Sequence, residues 1–167
     1  DPNAIELPPY YPDLPEVRQD IARHYDNIRT MDAKVGAILA ALEKDGLAES
    51  TIIIWTTDHG DGLPRAKREL LDTGIHVPMI IYVPEQLAKG TLSALRPQVE
   101  GYSEDNNVLL TSQLISFVDL APTILQLAGV SPPDYLHGRD FLQGLDSTKT
   151  SRERGLRQYI YASRDRI

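Results

Sequence analysis

Apolar side chains recur at spacings of three and four from Val17 through Ile21, Tyr25, Ile28, Met31, Val35, Ile38, Leu39 and Leu42. That period paints a single stripe along a helix of about thirty residues, and such a helix needs another layer of structure to lie on. Asp13 and Glu16 have the spacing of a capping box at its start, and Gly46 suits the left-handed residue that closes it. The next apolar run, "STIIIWTTD", is rich in β-branched residues and apolar on both faces. This is the pattern of a strand buried between helices in a parallel sheet, and "PMIIYVP" is a second such run. A long helix followed by strands that do not alternate predicts an α/β layer architecture.

The remaining segments are less regular. Residues 1–15 hold five prolines and the adjacent Tyr10 and Tyr11, which predicts an extended surface segment. "EQLAKGTLSALRPQVEGYSEDNN" is polar and weakly patterned, and reads as an excursion or loop. Asp119 is placed to cap a helix over "LAPTILQLAG", with Pro122 in its first turn and Gly129 at its end. "SPPDYLHGRDFLQGL" is punctuated as loop, and "RQYIYASRD" has the composition of a strand.

Composition excludes several function classes. Seventeen basic and 24 acidic residues give a net charge of −7, which argues against a nucleic-acid partner. With no cysteine there is no disulfide, thiolate zinc site or Cys nucleophile in these residues. The apolar runs fall far short of the roughly 20 residues that span a bilayer. The first residues lack the basic and apolar regions of a signal peptide.

Chemistry concentrates in "TTDHGDG", where Asp58 and His59 follow directly on the apolar strand. Ligands of open α/β sheets bind where the carboxyl ends of strands open into loops. A carboxylate and an imidazole side by side at such a point form a pair able to bind metal. The competing reading makes Asp58 a turn cap and His59 an ordinary loop histidine; Asp61 fits a third ligand or a D-G turn equally well. Lys67 lies nine residues after Asp58 and eleven before Pro78. Judged alone, Lys67 and Arg68 read as a solvated face. His76, in "GIHVP", fits either an anion contact or a half-buried structural imidazole.

Taken together, "YDNIRTMDAKVGAILAALEKDGLAESTIIIWTTDHGD", "KRELLDTGIHVPMIIYVP" and "FVDLAPTILQLAGVSPPDYLHGRDF" resemble the type I sulfatase family of the alkaline-phosphatase-like superfamily. The resemblance runs from about residue 16 to the end, and the order and spacing of the three segments carry it. It implies a three-layer α/β/α alkaline-phosphatase-like sheet, incomplete in this chain. It divides the chain into an irregular segment at 1–15, the later part of a catalytic domain at 16–150, and a truncated segment at 151–167. By the same resemblance Asp58 and His59 complete the site of one divalent cation, usually calcium. Lys67 contacts the sulfate oxygens and His76 is a possible substrate contact, while Asp119 and Arg139 belong to structural segments. An imidazole is less typical of calcium than a carboxylate, which leaves other metals open.

Sulfatases of this family draw their nucleophile from a Cys or Ser in a C/S-x-P-S-R motif, converted to formylglycine. That motif does not occur here; Ser131-Pro132-Pro133-Asp134 comes nearest and lacks the Arg. The resemblance therefore implies a sulfatase fragment whose formylglycine lies upstream, inactive alone because covalent catalysis needs its nucleophile. The implied substrate is a sulfated small molecule or carbohydrate, and the implied location periplasmic, secreted or lysosomal. A phosphodiesterase or phosphonate monoester hydrolase of the same superfamily is the alternative enzyme, and an anion-binding relative without catalysis the alternative from another class.

Overall fold

The computed structural model describes residues 1–87, 102–103, 108–109, 113–142 and 157–163. The chain divides into two compact units, Asp1–Pro84 and Glu85–Ile167. In the first unit a short 3-10 turn at Pro2–Ala4 leads through the Pro-rich segment to helix α1, Pro15–Lys44. The 30-residue helix expected from the apolar stripe is thus present, and Gly46 ends it at φ 71°. Its start differs from expectation. Leu14 is the N-cap and no side chain caps the helix, because the Asp13 carboxylate is taken by both arms of the Arg18 guanidinium. A carboxylate gains more from a charged fork than from one backbone N–H. Arg18 in turn donates to the backbone oxygens of Pro2 and Ile5, which ties the leading segment to the helix.

Of the apolar stripe only Ile21 is buried; Tyr25, Ile28, Met31, Ile38 and Leu39 stand exposed, Ile38 at 67%. The periodicity marks the face, but beyond Ile21 its residues are at most half-buried, as Val35 and Leu42 are.

Strand β1, Ile53–Thr56, and strand β2, Met79–Tyr82, form a two-stranded sheet. They run antiparallel, with Ile53 opposite Tyr82 and Thr56 opposite Met79, where a parallel sheet was predicted. Two apolar faces reveal burial on both sides, not strand direction. Residues 57–78 between the strands carry only a four-residue helix, α2, Asp72–Ile75, and not the crossover helix that usually brings a chain back parallel. The architecture is accordingly helices with a small sheet, within an α/β class.

The second unit contains two strands of two residues each, β3 (Tyr102–Ser103) and β4 (Val108–Leu109), paired antiparallel, with β3 in the segment expected to be loop and β4 directly after it. Most of the rest of that segment lies outside the described residues. A 3-10 turn at Phe117–Asp119 runs directly into helix α3, Leu120–Leu127, which Gly129 closes at φ 72°. Asp119 sits at the N-cap of α3, yet its carboxylate does not cap that helix. It accepts instead from the backbone N–H of Ser116 (2.9 Å), from that of Arg139 (2.8 Å), and from both arms of Arg157. Thr123 donates to the Asp119 carbonyl and accepts from the N–H of Phe141, itself buried. Gly138 lets the "HGRDF" loop pass so close to the 3-10 turn before α3 that a Cβ there would strike the Val118 carbonyl. The expected strand at "RQYIYASRD" reduces to one bridge, Leu114 with Arg157; residues 158–163 are irregular. Arg157 spends its side chain on Asp119, and Tyr159 and Tyr161 project into solvent.

Asp119 is 2% exposed. Burial pushes its carboxyl up, but the Arg157 guanidinium and the N–H groups of Ser116 and Arg139 outweigh that and hold it below the usual carboxylate value. A depressed folded-state value contributes stability that is fully present above the unfolded value, near 4, and is lost as pH falls through the folded one. Unfolding monitored by circular dichroism is therefore expected to show this contribution intact at neutral pH and vanishing only below about pH 4. Arg157→Ala should destabilise by about 3 kcal/mol at pH 7, because it leaves a buried carboxylate without its cation.

Candidate functional site

Strand β1 ends at Thr56, whose hydroxyl donates to the Pro78 carbonyl at the start of β2 (2.9 Å), so the two strands hold the mouth of the connecting loop together. The chain then turns through Thr57-Asp58-His59-Gly60. Thr57 Oγ1 donates to the His59 carbonyl, and the Gly60 N–H donates to the carbonyl of Gly74 in α2. Gly60 has to lack a side chain here, since a Cβ would strike the Thr73 carbonyl. Gly74 is under the same constraint against the carbonyls of Ala66 and Glu69. The turn after β1 is thereby pinned to α2, which accounts for two of the glycines in backbone terms.

Asp58 and His59 meet at the strand end, with His59 Nε2 at 3.4 Å from Asp58 Oδ1. His59 Nδ1 lies 2.6 Å from the Gly60 carbonyl. A carbonyl only accepts, so Nδ1 carries a hydrogen, and it is the neutral form of such a ring whose Nε2 lone pair is free to bind a cation. Asp58 is 85% exposed and has no other partner among the described residues. An oxygen and a nitrogen lone pair 3.4 Å apart, the nitrogen oriented by a backbone hydrogen bond, fit two ligands of one cation. No group of three or more such side chains occurs among the described residues.

Asp61 is otherwise engaged. Its Oδ1 accepts from the Leu63 N–H and its Oδ2 lies 3.6 Å from Nε2 of His24 on α1. Its backbone carbonyl accepts the N–H of Lys67 (3.0 Å). The Lys67 side chain is exposed and makes no ion pair or hydrogen bond among the described residues. His76 closes α2, exposed, with Nδ1 3.3 Å from Asp72 Oδ2 one turn earlier. Asp58, His59, Lys67 and His76 all lie on the connection between β1 and β2, and of the four only Asp58 and His59 pair with one another among the described residues. Sequence reading missed Tyr11 and His24, which reach this loop from outside it. The paired tyrosines in a Pro-rich segment were the available signal, and nothing in the sequence distinguished His24.

Residues 4–130 match the Sulfatase family, which covers the helix, both strands of the first sheet, the loop and α3. The chain belongs to the Sulfatase family. Similar proteins include the "Ulvan-active sulfatase" of Formosa agariphila, 40% identical over 163 residues, 98% of this chain and 23% of that protein. The human "N-sulphoglucosamine sulphohydrolase" is 29% identical over 88% of this chain and 28% of its own length. Human "Iduronate 2-sulfatase" is 32% identical over 75% of this chain and 25% of its own length. The chain therefore spans about a quarter of the length of these sulfatase relatives. Among the described residues no helix is long and apolar enough to cross a membrane.

Proposed function

We propose that this chain is part of a sulfuric-ester hydrolase, with Asp58 and His59 as two ligands of a divalent cation, calcium by preference, and Lys67 as a sulfate contact. The observation that carries the reading is the Lys67 ammonium, exposed and unpaired among the described residues, on a loop bonded back to Asp61 eight residues beyond a metal-capable pair. Membership of the Sulfatase family supports it. A formylglycine nucleophile, supplied by sequence outside these 167 residues, completes the reading, and the 167-residue chain alone is inactive. The exposure of Tyr25, Ile28, Met31, Ile38 and Leu39 on α1 and the half-exposed apolar strand β1 support a three-layer sheet of which this chain supplies only part.

Rupture of a sulfate ester places negative charge on the bridging oxygen and redistributes it over the others. A fixed ammonium stabilises that charge more than it stabilises the ground state, and this difference is what accelerates the step. Lys67 donates to a sulfate oxygen in this role, and His76, whose Nε2 is not used by Asp72, is a second contact. The cation supplies further charge compensation when bound. The Gly60–Gly74 bond and the His59 Nδ1–Gly60 contact keep the Asp58-His59 turn in one conformation.

The substrate class we favour is a sulfated carbohydrate, because the relatives' names speak of ulvan, sulphoglucosamine and iduronate. A periplasmic, secreted or lysosomal location goes with this reading. The test compares matched aryl sulfate, aryl phosphate and phosphonate monoester substrates with the full-length protein and with residues 1–167 alone. Sulfate turnover by the full-length protein only is expected. Faster turnover of a phosphorus ester would select the other hydrolase activity of the superfamily, and no turnover by the full-length protein would leave an anion-binding role.

A further inference from the structure

Two residues that flank Lys67, Arg65 and Arg68, both have φ of 70°. For a side chain with a Cβ this left-handed conformation costs roughly 1–2 kcal/mol, and two such residues within four positions persist only where their surroundings hold them. The restraints are on view. Within the loop, Lys67 N–H donates to the Asp61 carbonyl, Glu69 N–H donates to the Ala66 carbonyl, and Ala66 is buried. Thr73 Oγ1 donates to the Arg65 carbonyl.

The other restraints come from distant sequence. Tyr11 donates its hydroxyl to the Pro64 carbonyl (2.8 Å), the Tyr10 ring lies under the Arg65 guanidinium at 4.9 Å, and His24 faces Asp61. Of these, the Tyr11 bond acts on the peptide that immediately precedes the first strained residue. Burial, together with Tyr10 and Asp61, pushes the Tyr11 phenol above its ordinary value against the opposing effect of Arg65, so the donor keeps its hydrogen at neutral pH.

We propose that Tyr11 is a positioning residue for Lys67: its hydroxyl fixes the Pro64 carbonyl and with it the strained Arg65–Arg68 segment that presents the ammonium. The Pro-rich leading segment is then part of the site's framework and not merely surface loop. This rests on the sulfate-contact role of Lys67.

A double-mutant cycle on the full-length enzyme tests it, with kcat and KM measured on an aryl sulfate for Tyr11→Phe, Lys67→Ala and the double variant. Tyr11→Phe keeps the ring and removes only the donor. It is expected to lower kcat by roughly fivefold, the rate equivalent of one net hydrogen bond, and to have no further effect once Lys67 is alanine. Thr73→Val, which removes the tie to the Arg65 carbonyl, should couple to Lys67 in the same way and serves if Tyr11→Phe folds poorly. Equal losses in both backgrounds, or no loss from Tyr11→Phe while Lys67→Ala slows the enzyme, would overturn the positioning role and leave the Lys67 assignment standing. An unchanged rate in Lys67→Ala would remove both.

Discussion

Lys67→Ala in the full-length enzyme should lower kcat on sulfate esters by roughly 10²–10³, the size of effect seen when one preorganised oxyanion donor is deleted. The expectation follows from where the ammonium stands. It makes no hydrogen bond or ion pair among the described residues, so its removal costs little stability. Its backbone is anchored through the Asp61 carbonyl, which fixes where the side chain leaves the loop. Steady-state kinetics with a thermal melt checks both halves. A lowered rate at unchanged stability supports the sulfate contact, and an unchanged rate returns Lys67 to an ordinary solvated face. Lys67→Arg keeps the charge but replaces a compact ammonium with a planar fork, and should recover only part of the loss.

Asp58→Ala carries the other large effect. The Asp58 carboxylate is exposed and, among the described residues, touches only His59, so the substitution leaves no buried group unsatisfied and should leave the fold intact. The proposed cation would lose its hard oxygen donor. Outer-sphere partners of metal ligands cost about 10–100-fold in affinity when removed, and a direct ligand should cost at least as much. Calcium titration by calorimetry on the full-length protein measures this, and turnover should fall with occupancy and recover partly in excess cation. Full occupancy and full rate after chelation and refilling would take Asp58 out of the site. His59→Gln should show a smaller defect, because a carboxylate suits calcium better than an imidazole does.

Helix α1 and the turn after β1 were legible because each is written locally. A 3.6-residue apolar period needs only its own stretch to be read, and so does a β-branched run that stops at Asp-His-Gly. The same locality explains the errors. Asp13 has the right spacing for a capping box, but Arg18 claims it. Asp119 stands at the N-cap of α3, but its carboxylate answers to Arg139 and Arg157, 20 and 38 residues away. The apolar faces of β1 and β2 announced burial and were silent on direction, which depends on how the chain returns through residues 57–78.

The candidate site divides along the same line. Residue types and spacing alone bring Asp58 and His59 to notice, since a carboxylate–imidazole pair at a strand end has a chemical meaning wherever it is found, whereas Lys67 and His76 gain a role only through the family resemblance. That Nε2 and not Nδ1 of His59 faces Asp58, that Asp61 is occupied by Leu63 and His24, and that Arg65 and Arg68 are strained around Lys67 emerge only with the chain folded. Hydrogen bonds such as Tyr11 to Pro64 join groups 53 residues apart, and no pattern in the intervening sequence encodes them. Local periodicity sets what each segment can become. Which polar group satisfies which is settled by tertiary packing, because groups such as Asp13 and Asp119 have local partners to hand and only the folded geometry brings up Arg18, Arg139 and Arg157 to take them.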